Sequence, residues 1–156
     1  MKTTRKDPRH RAREAALQVL YQWEVARTDV ASAADTFFSL QWAADQEPPP
    51  ADLQHFATEL AHDTVRRLAE VDALIADTAE RWRPERMAVL DRLILRMAVT
   101  ELLRGKVSAA GARYESTPAP VVINEALELA RTFSTEEAVK FINGMLDAIR
   151  RKVEER

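Results

Sequence analysis

Between Met87 and Leu103 the chain is apolar around most of a helical circumference. Met87, Leu90, Leu93, Ile94, Met97, Ala98, Val99, Leu102 and Leu103 leave only a narrow polar strip at Arg92, Arg96 and Thr100, with Asp91 and Glu101 beside it. Such a helix is stable in water only when other elements cover nearly all of it. The stretch therefore predicts a bundle with this helix at its centre, and its methionines read as core packing.

Everything around it fits a bundle. Arg9–Arg27 places Ala12, Ala16, Val19, Leu20 and Trp23 on one stripe of an amphipathic helix. Ala31–Ala43 puts Ala34, Phe37, Phe38 and Trp42 on an apolar side, with Asp29 or Ser32 as N-cap. "DQEPPPAD" cannot continue a helix. Asp52–Leu68 and Val71–Trp82 follow, divided by a kink near Ala69–Asp72. Pro84 opens the fifth helix, which runs to about Arg104, and Gly105–Ala119 is a loop. Pro120 opens the sixth, and Ser134-Thr135-Glu136-Glu137 reads as a capping box before the last, which ends near Lys152. No useful segment alternates strictly, and "APVVI" runs straight into a helical period. The expectation is an all-α bundle of about seven helices in two small packed lobes: a flexible basic arm over residues 1–8, then a single domain over 9–156.

Composition removes whole classes of chemistry. The 156 residues include no cysteine, so disulfides, thiolate nucleophiles and cysteine zinc sites are excluded. With three glycines there is no phosphate-binding loop or dinucleotide fingerprint, and no serine sits in a GxSxG turn. His55, Glu59 and His62 share one face of the third helix and form the best metal candidate. With no supporting ligand elsewhere they read as a polar face, so neither metal nor cofactor is expected. Carboxylates are scattered, with no pair marked out for acid–base work. The charged N-terminus is no secretory signal and no apolar run suits a membrane span. The chain reads as a cytoplasmic binding protein rather than an enzyme.

Charge is uneven. Residues 1–13 carry six basic side chains against Asp7, a net +5, leaving −7 on the rest of a chain of net −2. Charge alone suits a solvated tail as well as a nucleic-acid contact. Placement adds something: arginines oppose the positive end of a helix dipole, so a phosphate there relieves them. Arg13, Leu17, His10 and Tyr21 lie along one helical edge, leaving Tyr21 partly exposed, either to water at the core's edge or to a stacked base. On the last helix Ala138, Phe141, Ile142, Met145 and Ile149 form an apolar stripe. Gly144 sits mid-helix at about 1 kcal/mol relative to Ala. Either another backbone approaches there, or the surface is open beside Lys140 and Phe141.

Three stretches in this order resemble the NusB family of transcription antitermination factors: "RHRAREAALQVLYQWEV", "VLDRLILRMAVTELL" and "PVVINEALELARTFSTEEAVKFINGMLDAI". The resemblance covers nearly the whole chain and is weakest over Val30–Arg83. It implies an all-α fold of two lobes. It also implies binding of boxA RNA in ribosomal RNA leaders, partnership with the ribosomal protein NusE, and loading onto RNA polymerase to suppress termination. Carried over by position, Arg9, His10, Arg11, Arg13 and Tyr21 fall where the family contacts RNA. Phe141, with Glu137 and Lys140, matches a second RNA-facing patch, and Asp91 an acidic position facing the partner. His10 stands where an arginine is common, which implies a weaker, pH-dependent contact. Pro120 replaces a usual lysine, and the loop 105–119 is longer than the family's.

Two other functions compete. A helical protein–protein adaptor or homodimer could carry the same surfaces with a merely solvated arm. A similar helical domain also precedes some ribosomal RNA cytosine methyltransferases, which requires a Rossmann-like domain after Arg156.

Overall fold

The computed structural model describes residues 8–41, 50–79, 86–107 and 117–155. Those residues form seven α-helices and no strand: α1 (Pro8–Val25), α2 (Val30–Thr36), α3 (Ala51–Arg66), α4 (Leu68–Thr78), α5 (Val89–Val107), α6 (Ala119–Phe133) and α7 (Glu136–Glu154). The all-α expectation holds. The arm lies outside the described residues except for Pro8, which opens α1.

Local chemistry sets the boundaries, and several differ from the sequence reading. Asp29 caps α2, its carboxylate accepting from the Ser32 backbone N–H at 3.1 Å and the Ser32 hydroxyl at 2.7 Å. Those bonds hold the Asp29 carboxyl below its ordinary pKa. After Thr36 the helix widens into a π-helical turn, Phe37–Gln41, where Phe37 and Phe38 meet edge to face. Trp42 lies outside the described residues. Arg67, not the stretch Ala69–Asp72, separates α3 from α4. α5 begins at Val89, and the expected start at Pro84 lies outside the described residues. The capping box is also corrected. Thr135 caps α7 by accepting from the Ala138 N–H at 3.1 Å, because the Ser134 hydroxyl is engaged elsewhere, donating to the Asp91 carboxylate.

The chain divides into two compact units, residues 1–65 and 66–156. In the first unit α1 packs against α2 and the π-turn. Ala12, Ala15, Ala16, Leu17, Val19 and Leu20 of α1 are all buried, with Phe56, Ala57, Leu60 and Ala61 of α3. Three alanines make α1 slim, so neighbours close over more of it than one stripe.

In the second unit α5, α6 and α7 pack pairwise, and α4 lies on α5 and α7. α5 is the central helix the pattern demanded: Leu93, Ile94, Leu95, Met97, Ala98 and Val99 are all buried. At about 1.5–3 kcal/mol for each large aliphatic side chain, this helix dominates the unit's apolar stabilisation. Much of its polar strip is buried too, while Asp91 and Arg92 are half-buried. Arg96, Thr100 and Glu101 are each less than a tenth exposed. The Thr100 hydroxyl donates to the Arg96 carbonyl one turn back at 2.8 Å. The Arg96 guanidinium grips Asp72 of α4 with two parallel bonds of 2.9 Å. A polar tie also joins α4 to α7, Lys152 reaching the Asp77 carbonyl at 3.0 Å and its carboxylate at 3.2 Å.

Candidate nucleic-acid interface

The first unit carries the basic feature. α1 starts with Pro8, whose fixed φ suits a first helical turn, and has no acidic residue in that turn. Arg9 is exposed and Arg11 half-buried. Arg9 and Arg13 lie one turn apart and converge on Phe56 of α3. Their guanidinium carbons sit 4.2 and 5.2 Å from its ring centroid. Tyr21 is 43% exposed, three turns further along.

Two of the expected RNA contacts are buried. Arg13 is 3% exposed and His10 7%. The edge assigned to His10, Arg13 and Leu17 turns inward, and all three side chains are buried. Arg13 is an internal cation covering Phe56. His10 is an internal imidazole whose Nε2 lies 3.5 Å from a Glu14 carboxylate oxygen.

The second unit carries the other patch. The stripe of α7 that enters the core is Ala138, Ile142, Met145, Leu146, Ile149 and Val153. Phe141 does not belong to it and is 41% exposed. Glu137, Lys140 and Gly144 are also exposed, and their spacing puts all four residues on one helical face. A Cβ built on Gly144 meets nothing within 4 Å, so no other backbone approaches there. One turn on, Asp147 accepts from Arg150 at 3.0 Å and Arg151 at 2.6 Å. The Arg150 bond, aided by the charges of Arg151 and Arg150, holds the Asp147 carboxyl below its ordinary pKa.

The NusB family's sequence profile matches residues 10–151. The chain belongs to the NusB family. It is 46% identical to the transcription antitermination protein NusB of Solibacter usitatus (strain Ellin6076), over 94% of this chain and 91% of that one. The fold is similar to that of T. maritima NusB, with a TM-score of 0.76 and 29% identity over 97% of this chain and all of that one. It is also shared, with a TM-score of 0.72 and 23% identity over 93% of this chain and 97% of that one, by a structure of antitermination factors NusB and NusE in complex with double-stranded RNA. This membership sets the NusB-family chain among transcription antitermination factors rather than enzymes.

Asp91, the expected partner-facing residue, lies in the first turn of α5, half-buried and bonded to Ser134. Pro120 falls at the start of α6. His55 is exposed and Glu59 and His62 half-buried. Among the described residues no three His, Cys, Asp or Glu side chains are grouped to hold a metal ion. Among the same residues no helix is long and apolar enough to cross a membrane. The residue the sequence reading missed is Phe56. The spacing of Arg9 and Arg13 shows that they share a face, but nothing local says which aromatic, some forty positions on, lies beneath them.

Proposed function

We propose that this chain binds boxA RNA of ribosomal RNA leaders together with NusE, and joins the antitermination complex on RNA polymerase in the cytoplasm. The observation that carries the reading is the start of α1. In a NusB-family chain, a helix N-terminus without acidic residues presents Arg9 and Arg11 at the surface. Guanidinium groups bind phosphate through paired N–H donors, and the helix dipole adds to their attraction. Tyr21 in the first unit and Phe141 in the second are the bases' stacking partners. Lys140 is a further phosphate contact beside Phe141, and Glu137 a hydrogen-bond acceptor for base edges. Arg13 and His10 act from inside, holding the α1 surface in shape. That a NusB with NusE and double-stranded RNA shares this fold supports the reading.

The test is salt dependence. Each phosphate contact on a single strand contributes about 0.7 to the slope of log affinity against log salt. Replacing Arg9 and Arg11 together with Ala should weaken binding to a boxA-like RNA and flatten that slope by about 1.4. Helical content should stay unchanged. An unaltered slope in the double variant overturns the reading.

The NusE side rests on Asp91. Asp91→Lys should weaken NusE binding by about tenfold or more through charge reversal. Ser134→Ala removes the internal bond but leaves the carboxylate, and should preserve binding. Titration calorimetry with NusE checks both. Parent-like affinity in Asp91→Lys would place the partner surface elsewhere.

A further inference from the structure

Phe56 is 3% exposed and sits beneath two cations from the start of α1. Arg9 and Arg13 reach it because they are one turn apart on the same helix. The two guanidiniums then part in character. Arg13 is enclosed with the ring, while Arg9, closer to the centroid at 4.2 Å, remains exposed.

An arginine side chain has four rotatable bonds, and fixing it on a phosphate costs rotamer entropy. A ring beneath the guanidinium meets part of that cost in advance. It also holds the cation without adding opposite charge, since its attraction comes from the ring quadrupole. A guanidinium held over a ring face keeps its planar set of N–H donors, the groups that a phosphate's oxygens bind.

We infer that Phe56 is a positioning residue for RNA: a buried aromatic platform on α3 that fixes the Arg9 guanidinium for a backbone phosphate, with Arg13 as the enclosed second cation that locks the ring. The inference rests on the phosphate reading of α1 and adds to it a residue that touches no RNA. It predicts that the identity of a core side chain sets an electrostatic property of binding.

The experiment titrates the full chain with a short boxA-like RNA across a salt series. Denaturant melts confirm that each variant is folded under the binding conditions. Phe56→Leu keeps apolar bulk and removes the ring. It should lower affinity by about three- to tenfold and flatten the salt slope. Phe56→Tyr keeps the ring and should retain both. In an Arg9→Ala background, Phe56→Leu should cost little more, because the platform acts through Arg9. Parent-like affinity and slope in folded Phe56→Leu overturn the inference, as does a loss undiminished in the Arg9→Ala background. Arg9→Lys gives a second measure that does not disturb the core. It keeps the charge without the planar group, and parent-like binding there also overturns the inference. The two levels fail differently. If Arg9→Ala itself leaves affinity and slope unchanged, the phosphate reading falls and Phe56 with it. If Arg9→Ala weakens binding and Phe56→Leu does not, only the platform falls.

Discussion

Asp72→Ala is expected to destabilise the second unit by about 2–3 kcal/mol. The side chain of its partner Arg96 is only 8% exposed, so losing the carboxylate removes two charge-assisted hydrogen bonds from a buried guanidinium. Removing one partner of a buried pair typically costs about 3–5 kcal/mol. Asp72 is 29% exposed, and water entering at that side lowers the figure. A second variant separates the charge from the shape. Asp72→Ala combined with Arg96→Met removes both charges and keeps much of the volume, and should recover most of the loss. Urea melts read both as shifts in midpoint. A loss below about 0.5 kcal/mol in Asp72→Ala would class the pair with ordinary surface ion pairs.

Phe141→Ala is expected to lower RNA affinity by about 1–3 kcal/mol, the usual worth of one base–aromatic stack. Its stability should fall by much less than the roughly 3–5 kcal/mol of a core phenylalanine, because the ring is 41% exposed. Gly144→Ala is the companion measurement. With open space where its methyl would go, the substitution should raise stability by up to about 1 kcal/mol through helix propensity. A destabilised Gly144→Ala would mean that something packs there. A Phe141→Ala variant with intact RNA affinity and a large stability loss would return that ring to the core.

The central helix was legible because its pattern admits one environment: an almost wholly apolar circumference has to be enclosed. The burial of Arg96 on its polar strip was not, because the carboxylate that grips it lies 24 positions earlier. α1 misled for a related reason. Periodicity marks the positions that are apolar, whereas burial also depends on how near the neighbours come. Small Ala12, Ala15 and Ala16 let them come near enough to enclose Arg13 and His10. Phe141 lies at the edge of α7's stripe, next to Ile142, where a helical wheel decides neither way. Ser134 and Thr135 are both competent caps, and the choice between them was made by Asp91 on another helix.

The two aspartates of α4 hold a further consequence. Asp72 and Asp77 lie five residues apart, which is about 140° around the axis and roughly 7.5 Å along it. One is tied to Arg96 of α5 and the other to Lys152 of α7. Buried Val71, Leu74 and Ile75 decide which face of α4 enters the core, and the two polar ties act on top of that packing. With two ties leaving it in different directions, α4 behaves as a keyed shaft: turning it either way breaks one tie before the other can re-form. The two ties therefore add to the rotational setting of this helix unequally, the buried Asp72–Arg96 pair more than the exposed Asp77–Lys152 pair.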